Sequence, residues 1–120
     1  MQDSGRGRRE VGRNDGAIGA SALADDLSWT VPHVLSESDV KNLIEEFSIS
    51  CALLKDAGFS GIEISAGHGH LFHQFMSSWS NQREDMYGGD LLGRTRFTRD
   101  LITAIRAATS GDFIIGIKLP

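Results

Sequence analysis

A single cysteine, Cys51, is present in the whole chain, so an internal disulfide framework is excluded, as is a zinc or iron–sulfur centre held by cysteines of this chain alone. Long hydrophobic runs are also missing. No stretch approaches the roughly 20 apolar residues that span a bilayer, and the arginine-containing start lacks the hydrophobic middle of a secretory signal. These features predict a cytoplasmic protein with no membrane partner. There is no surplus of positive charge either: Lys and Arg total 12 against 16 Asp and Glu, a net charge of −4. No chain-wide field draws it to nucleic acid or anionic lipid. What is present, 40% hydrophobic and 23% charged residues over 120 positions, is the composition of one small globular domain.

The first twenty residues, "MQDSGRGRREVGRNDGAIGA", are rich in Gly and Arg and poor in large apolar side chains. They bury too little surface to offset the cost of ordering, so a loose, solvated start is expected. Arg6, Arg8, Arg9 and Arg13 could meet phosphates, but Asp3, Glu10 and Asp15 dilute their charge. From Ser36, "SESD" predicts a capping box in which Ser36 and Asp39 satisfy each other's backbone amides. Val40, Leu43, Ile44, Phe47, Cys51 and Leu54 follow at helical spacing, and Gly58 in "DAGF" is the expected stop. Cys51 lies on that apolar stripe and is expected to pack rather than react.

"GIEIS" predicts a short buried strand, and after the histidines a long polar loop, "SSWSNQREDMYGGD", is expected. A second helix is expected with Phe97, Leu101, Ala104, Ile105 and Ala108 on one face, ending near Gly111. "DFIIGIKLP" predicts a second buried strand. Helix, strand, loop, helix, strand is the order of a parallel α/β architecture with right-handed crossovers.

Ligands of such folds gather at the carboxyl ends of strands. His68 and His70 follow the first strand and would share a face if the extended backbone continued. Lys118 ends the second, where an ammonium on an apolar strand needs an anionic partner or a watery opening. Three accounts of the histidines stand side by side. His68 and His70 could ligate a metal with His73 as a third ligand, as in a hydrolase fragment. They could be polar loop residues or satisfied core groups of a non-catalytic α/β remnant, the description that suits His73. Or they could serve a cofactor enzyme.

The third account gains from a resemblance. "AGFSGIEISAGHGHLFHQFMSSWSNQREDMYGGDLLGRTRF" resembles the signature of the Old Yellow Enzyme family of FMN-dependent NADH:flavin oxidoreductases. The matching positions are Glu63, Gly69, Leu71, Gln74, Phe75, Ser77, Asn81, Arg83, Asp85, Tyr87, Gly88, Gly89, Arg94, Arg96 and Phe97. The likeness extends from about Gly19 to Pro120, which divides the chain into a loosely structured segment, 1–18, and a partial FMN-binding barrel segment, 19–120. It implies a partial (β/α)8 TIM barrel of about two βα units with parallel strands. It also implies FMN as cofactor, NADH or NADPH as reductant, and a small-molecule substrate.

By the same resemblance, Ser65 and His68 take the positions that donate hydrogen bonds to the ligand oxygen above the flavin. His70 takes that of the tyrosine that delivers a proton, a task open to imidazole. Lys118 stands where an arginine usually borders the flavin, keeping the charge but not the planar fork. Serine for the first pair member and histidine for tyrosine depart from the family pattern, and branches resembling dienoyl-CoA reductases or methylated-amine dehydrogenases vary these positions. Asn81, Arg83, Asp85 and Arg94 are expected to tie loop to helix, and Met76, Trp79 and Tyr87 to pack under the loop or line an opening. A complete barrel needs eight strands and about 250 residues. Two firm strands imply a segment of a longer reductase, inactive by itself.

Overall fold

The computed structural model describes residues 18–23 and 31–120. The expectations for Arg6, Arg8, Arg9 and Arg13 lie outside those residues. At the end of the expected loose start, Ile18–Gly19 (β1) pair in parallel with His33–Val34 (β2), and Ala20 is buried.

Helix α1, Glu37–Asp56, begins as its sequence dictates: Ser36 Oγ accepts from the Asp39 amide at 3.0 Å, and Asp39 Oδ2 accepts from the Ser36 amide at 2.9 Å. Its other end closes at Gly58, whose φ of 97° suits a residue without a Cβ. The Gly58 and Phe59 amides then donate back to the Lys55 and Leu54 carbonyls, the two bonds of a Schellman stop. The predicted stripe faces inward, with Val40 and Cys51 buried.

Gly61–Ser65 (β3) and Ile114–Lys118 (β4) form a parallel pair in register from Gly61 opposite Ile114 to Ser65 opposite Lys118. The helix joining them, α3, spans Leu91–Ala108, is capped by Asp90 at the Gly93 amide, and packs against α1. Phe97, Leu101 and Ile105 are buried as predicted, whereas Ala108 is exposed in the last turn.

The structure adds one helix to the sequence reading and corrects two of its expectations. The polar loop expected over 77–90 carries no helix or strand, and ahead of it Leu71–Met76 form a short helix, α2, for which the sequence reading had no element. Its Phe72 and Phe75 rings pack 4.9 and 4.8 Å from that of Phe97, and this burial stabilises a turn too short to persist unaided. Extended backbone also fails to continue through the histidines, since His68 has a φ of 59°. Finally, β4 is not a buried strand: Ile114 is 65% and Ile117 is 37% exposed. Parallel strands are covered on both faces only when neighbours complete the sheet, and among the described residues β4 pairs with β3 alone.

Candidate active site at the strand tips

Residues alternate across a strand. In β3, Ile64 is fully buried toward the helices, so Glu63 and Ser65 fall on the opposite, uncovered face. The register puts Gly116 beside Glu63 and Lys118 beside Ser65 on that face. The pairing continues one step further, as the Ala66 amide donates to the Lys118 carbonyl at 3.0 Å. A hydroxyl and an ammonium thus stand side by side at the carboxyl ends of two parallel strands.

Past Ala66 the chain turns sharply. The His70 amide donates to the Gly67 carbonyl at 3.2 Å, and the two residues between, His68 and Gly69, have φ of 59° and 75°. Two consecutive positive φ values define a type I′ turn. Glycine enters that region freely, whereas histidine does so at a cost of roughly 1–2 kcal/mol. His68 is exposed, and His70 ends the turn as N-cap of α2. His68, Gly69, His73, Gln74, Ser77, Trp79 and Ser80 line a depression of about 240 Å³. Ser65, His70 and Lys118 are not among the lining residues, so the sequence-predicted residues fall into two neighbouring groups: a strand-tip pair, and a turn carrying the imidazoles.

His73, for which the sequence reading favoured a satisfied polar group over a third metal ligand, accepts from the Gly69 amide through Nδ1 at 2.9 Å. Among the described residues no group of three or more His, Cys, Asp or Glu side chains could hold a metal ion. The interlocking roles of His73 and Gln74 at this turn escaped the sequence, although their i+4 and i+5 spacing from Gly69 was a signal.

The polar loop beneath the turn is a clasp, as its residue types suggested. Asn81 Nδ2 donates to the carbonyls of Phe75 and Tyr87 at 2.6 and 2.8 Å. Arg83, nearly buried, donates to the carbonyls of Ala20 and Leu35 at 3.1 and 2.5 Å, and its guanidinium lies 5.2 Å from the Phe75 ring centre. Arg94 donates to Met76 and Gly89 carbonyls. A Cβ at Gly93 would run into the Gly88 carbonyl oxygen, so glycine is required where α3 meets the loop. Tyr87 is buried, and its burial holds the phenol above its ordinary pKa. Trp79, by contrast, is 64% exposed at the edge of the depression.

Parallel β/α units, steadied by a hydrogen-bonded loop, are the architecture of a portion of a β/α barrel. The chain matches the NADH:flavin oxidoreductase / NADH oxidase family over residues 3–120 and belongs to it. The match begins well ahead of Gly19, where the resemblance was first legible. The chain is 40% identical over 93 residues to the NADH-dependent flavin oxidoreductase iliE of Neonectria sp. (strain DH2), covering 78% of this chain and 12% of that protein. Against the NADPH dehydrogenase of Bacillus subtilis (strain 168) identity is 39% over 98 residues, 82% of this chain and 29% of the relative. Morphinone reductase in complex with tetrahydroNAD superposes with a TM-score of 0.79 at 25% identity, over 88% of this chain and 33% of that one. The chain therefore spans less than a third of the length of these two curated relatives. No helix among the described residues is long and apolar enough to cross a membrane.

Proposed function

We propose that this chain is the segment of an FMN-dependent NAD(P)H oxidoreductase that presents substrate-orienting groups at the barrel mouth, and that it is inactive until other strands complete the barrel. The observation that carries this reading is the register pairing of Ser65 with Lys118 at the strand tips, with His68 and His70 in the turn that follows. The donor set suits a flavin: an ammonium beside the edge where negative charge accumulates on reduction favours the reduced state. Lys118 would hold that edge. FMN, when bound, supplies hydride exchange with NADH or NADPH and with a small enone, dienoyl or amine-type substrate.

In this reading His68 donates a hydrogen bond to the substrate's oxygen, Ser65 adds a shorter, uncharged donor, and His70 supplies a proton. Serine cannot carry positive charge, so polarisation rests chiefly on His68. The isolated chain is expected to fail because the described residues provide only one firm pair of strands, and a barrel interior fills only on closure.

Two preparations test the proposal. The purified chain, titrated with FMN, should take up no stoichiometric flavin. A chimera carrying residues 19–120 in place of the aligned segment of the Bacillus subtilis NADPH dehydrogenase should bind flavin and oxidise NADPH, with turnover falling at least tenfold on His68→Ala. A well-folded chimera that binds flavin but is indifferent to His68→Ala overturns the assigned role. Stoichiometric flavin on the isolated chain overturns its dependence on further strands.

A further inference from the structure

The turn bearing His68 and His70 is held at a single residue, Gly69, through the peptide groups on both sides of its Cα. On its nitrogen side, the Gly69 amide donates to His73 Nδ1 at 2.9 Å; on its oxygen side, the Gly69 carbonyl accepts from Gln74 Nε2 at 2.9 Å. Both gripping side chains come from α2, whose own first turn is closed by the Gln74 amide on the His70 carbonyl at 2.9 Å. Gln74 is buried and His73 half-buried, while the residue they steady, His68, is exposed with a positive φ. An exposed side chain has few contacts of its own to hold an unfavourable backbone, so the constraint has to come from neighbours.

We propose that His73 and Gln74 are positioning residues: His73 holds the His68–Gly69 peptide and Gln74 the Gly69–His70 peptide, and together they fix the left-handed backbone of His68 and the direction from which His68 and His70 meet a ligand. This rests on the reading of His68 and His70 as ligand-facing groups. The clamp dictates a ring state. A nitrogen that accepts a hydrogen bond bears no proton, so His73 is the neutral tautomer with its proton on Nε2. Gln74 is likewise fixed with its NH2 toward Gly69.

The clamp can be read in the full chain without any ligand. Imidazole nitrogen spectra should give His73 the Nε2–H tautomer, and the amide-to-Hα coupling of His68 should report a positive φ. His73→Phe removes the acceptor while keeping a planar ring. It should speed exchange of the Gly69 amide about fivefold, the effect of one lost hydrogen bond, and shift the His68 coupling toward an averaged value. Protection of Leu101 and Ile105 amides in the core should stay unchanged. His73→Asn, whose side-chain oxygen can take the place of Nδ1, should restore both signals, whereas His73→Leu should not. If His73→Phe leaves Gly69 exchange and the His68 coupling as they were, or if Asn rescues no better than Leu, the clamp is refuted. Loss of core protection in His73→Phe would show a general packing role and refutes it equally. These signals are independent of flavin, so an intact clamp beside a chimera that binds no FMN counts against the oxidoreductase reading alone.

Discussion

Arg83 grips Asp85 with both arms of its guanidinium, Nε to Oδ1 at 2.9 Å and Nη2 to Oδ2 at 2.5 Å, while its remaining terminal nitrogen holds the carbonyls of Ala20 and Leu35. The Arg83 side chain is 5% exposed. One cation therefore ties the loop to both segments that precede α1. Removing its carboxylate partner leaves a buried charge without compensation, a change that costs about 3–5 kcal/mol in such settings. Asp85 is partly open to water, which places Asp85→Ala at the lower end, about 3 kcal/mol. Urea unfolding followed by circular dichroism should show that loss.

The same pair sets an acid limit. Burial raises the Asp85 pKa, but the Arg83 hydrogen bond, the Tyr87 amide and the Arg83 charge outweigh it, and the carboxyl is held below its ordinary value of 3.8. A group with a depressed folded pKa contributes stability that is present above its unfolded pKa and lost as pH falls through the folded one. The urea midpoint should thus fall on acidification below about pH 4. Asp85→Asn should start from a lower midpoint and fall less steeply through that range. An identical slope in wild type and variant would remove Asp85 from the account.

Phe97 is the ring on which the others converge, with Phe72, Phe75 and Tyr87 at 4.9, 4.8 and 6.5 Å between centres. Truncating such a buried aromatic costs about 3–5 kcal/mol, a large share of the stability of a small domain. Phe97→Ala should unfold the chain or lower its thermal midpoint by more than 10 °C, about 4–8 °C being lost per kcal/mol. Phe97→Leu should lose less than half as much.

One buried hydroxyl runs against the packing. Thr98 Oγ1 is fully buried and has no hydrogen-bond partner among the described residues. Replacing an unsatisfied buried hydroxyl by a methyl of similar shape removes a desolvation penalty of about 1 kcal/mol or more. Thr98→Val should raise the thermal midpoint by several degrees, and Thr98→Ser should not.

Local signals made much of this fold legible. Ser36 with Asp39, the stripe from Val40 to Leu54, and Gly58 made α1 readable because capping and periodicity are properties of near neighbours in sequence. Helix α2 was hidden because six residues carry too little periodicity, and its reason to fold lies in Phe97, far along the chain. The exposure of Ile114 was hidden for the opposite reason: an apolar strand announces that it is meant to be covered, not whether this chain supplies the cover. At the site, Ser65 and Lys118 were legible as strand ends, and the register that pairs them is tertiary. The histidine spacing suggested a shared extended face; the turn through His68 and Gly69 removed it, since two consecutive positive φ values reverse the chain.

That positive φ gives the sharpest test of whether the site sacrifices stability for geometry. An exposed histidine at φ 59° costs roughly 1–2 kcal/mol of backbone strain, which glycine would avoid. Glycine also makes the unfolded chain freer, offsetting about 0.4–1 kcal/mol of that gain. His68→Gly should therefore leave stability unchanged or raise it by up to about 1.6 kcal/mol, a thermal shift of zero to several degrees upward. His68→Ala keeps the strained Cβ and should come out about 1 kcal/mol below His68→Gly. If Gly is instead clearly less stable than Ala, the turn is not strained at residue 68 and the imidazole contributes to folding. If Gly stabilises, histidine is retained at the mouth of the barrel against the interest of the fold, which is the pattern of a residue kept for what it binds.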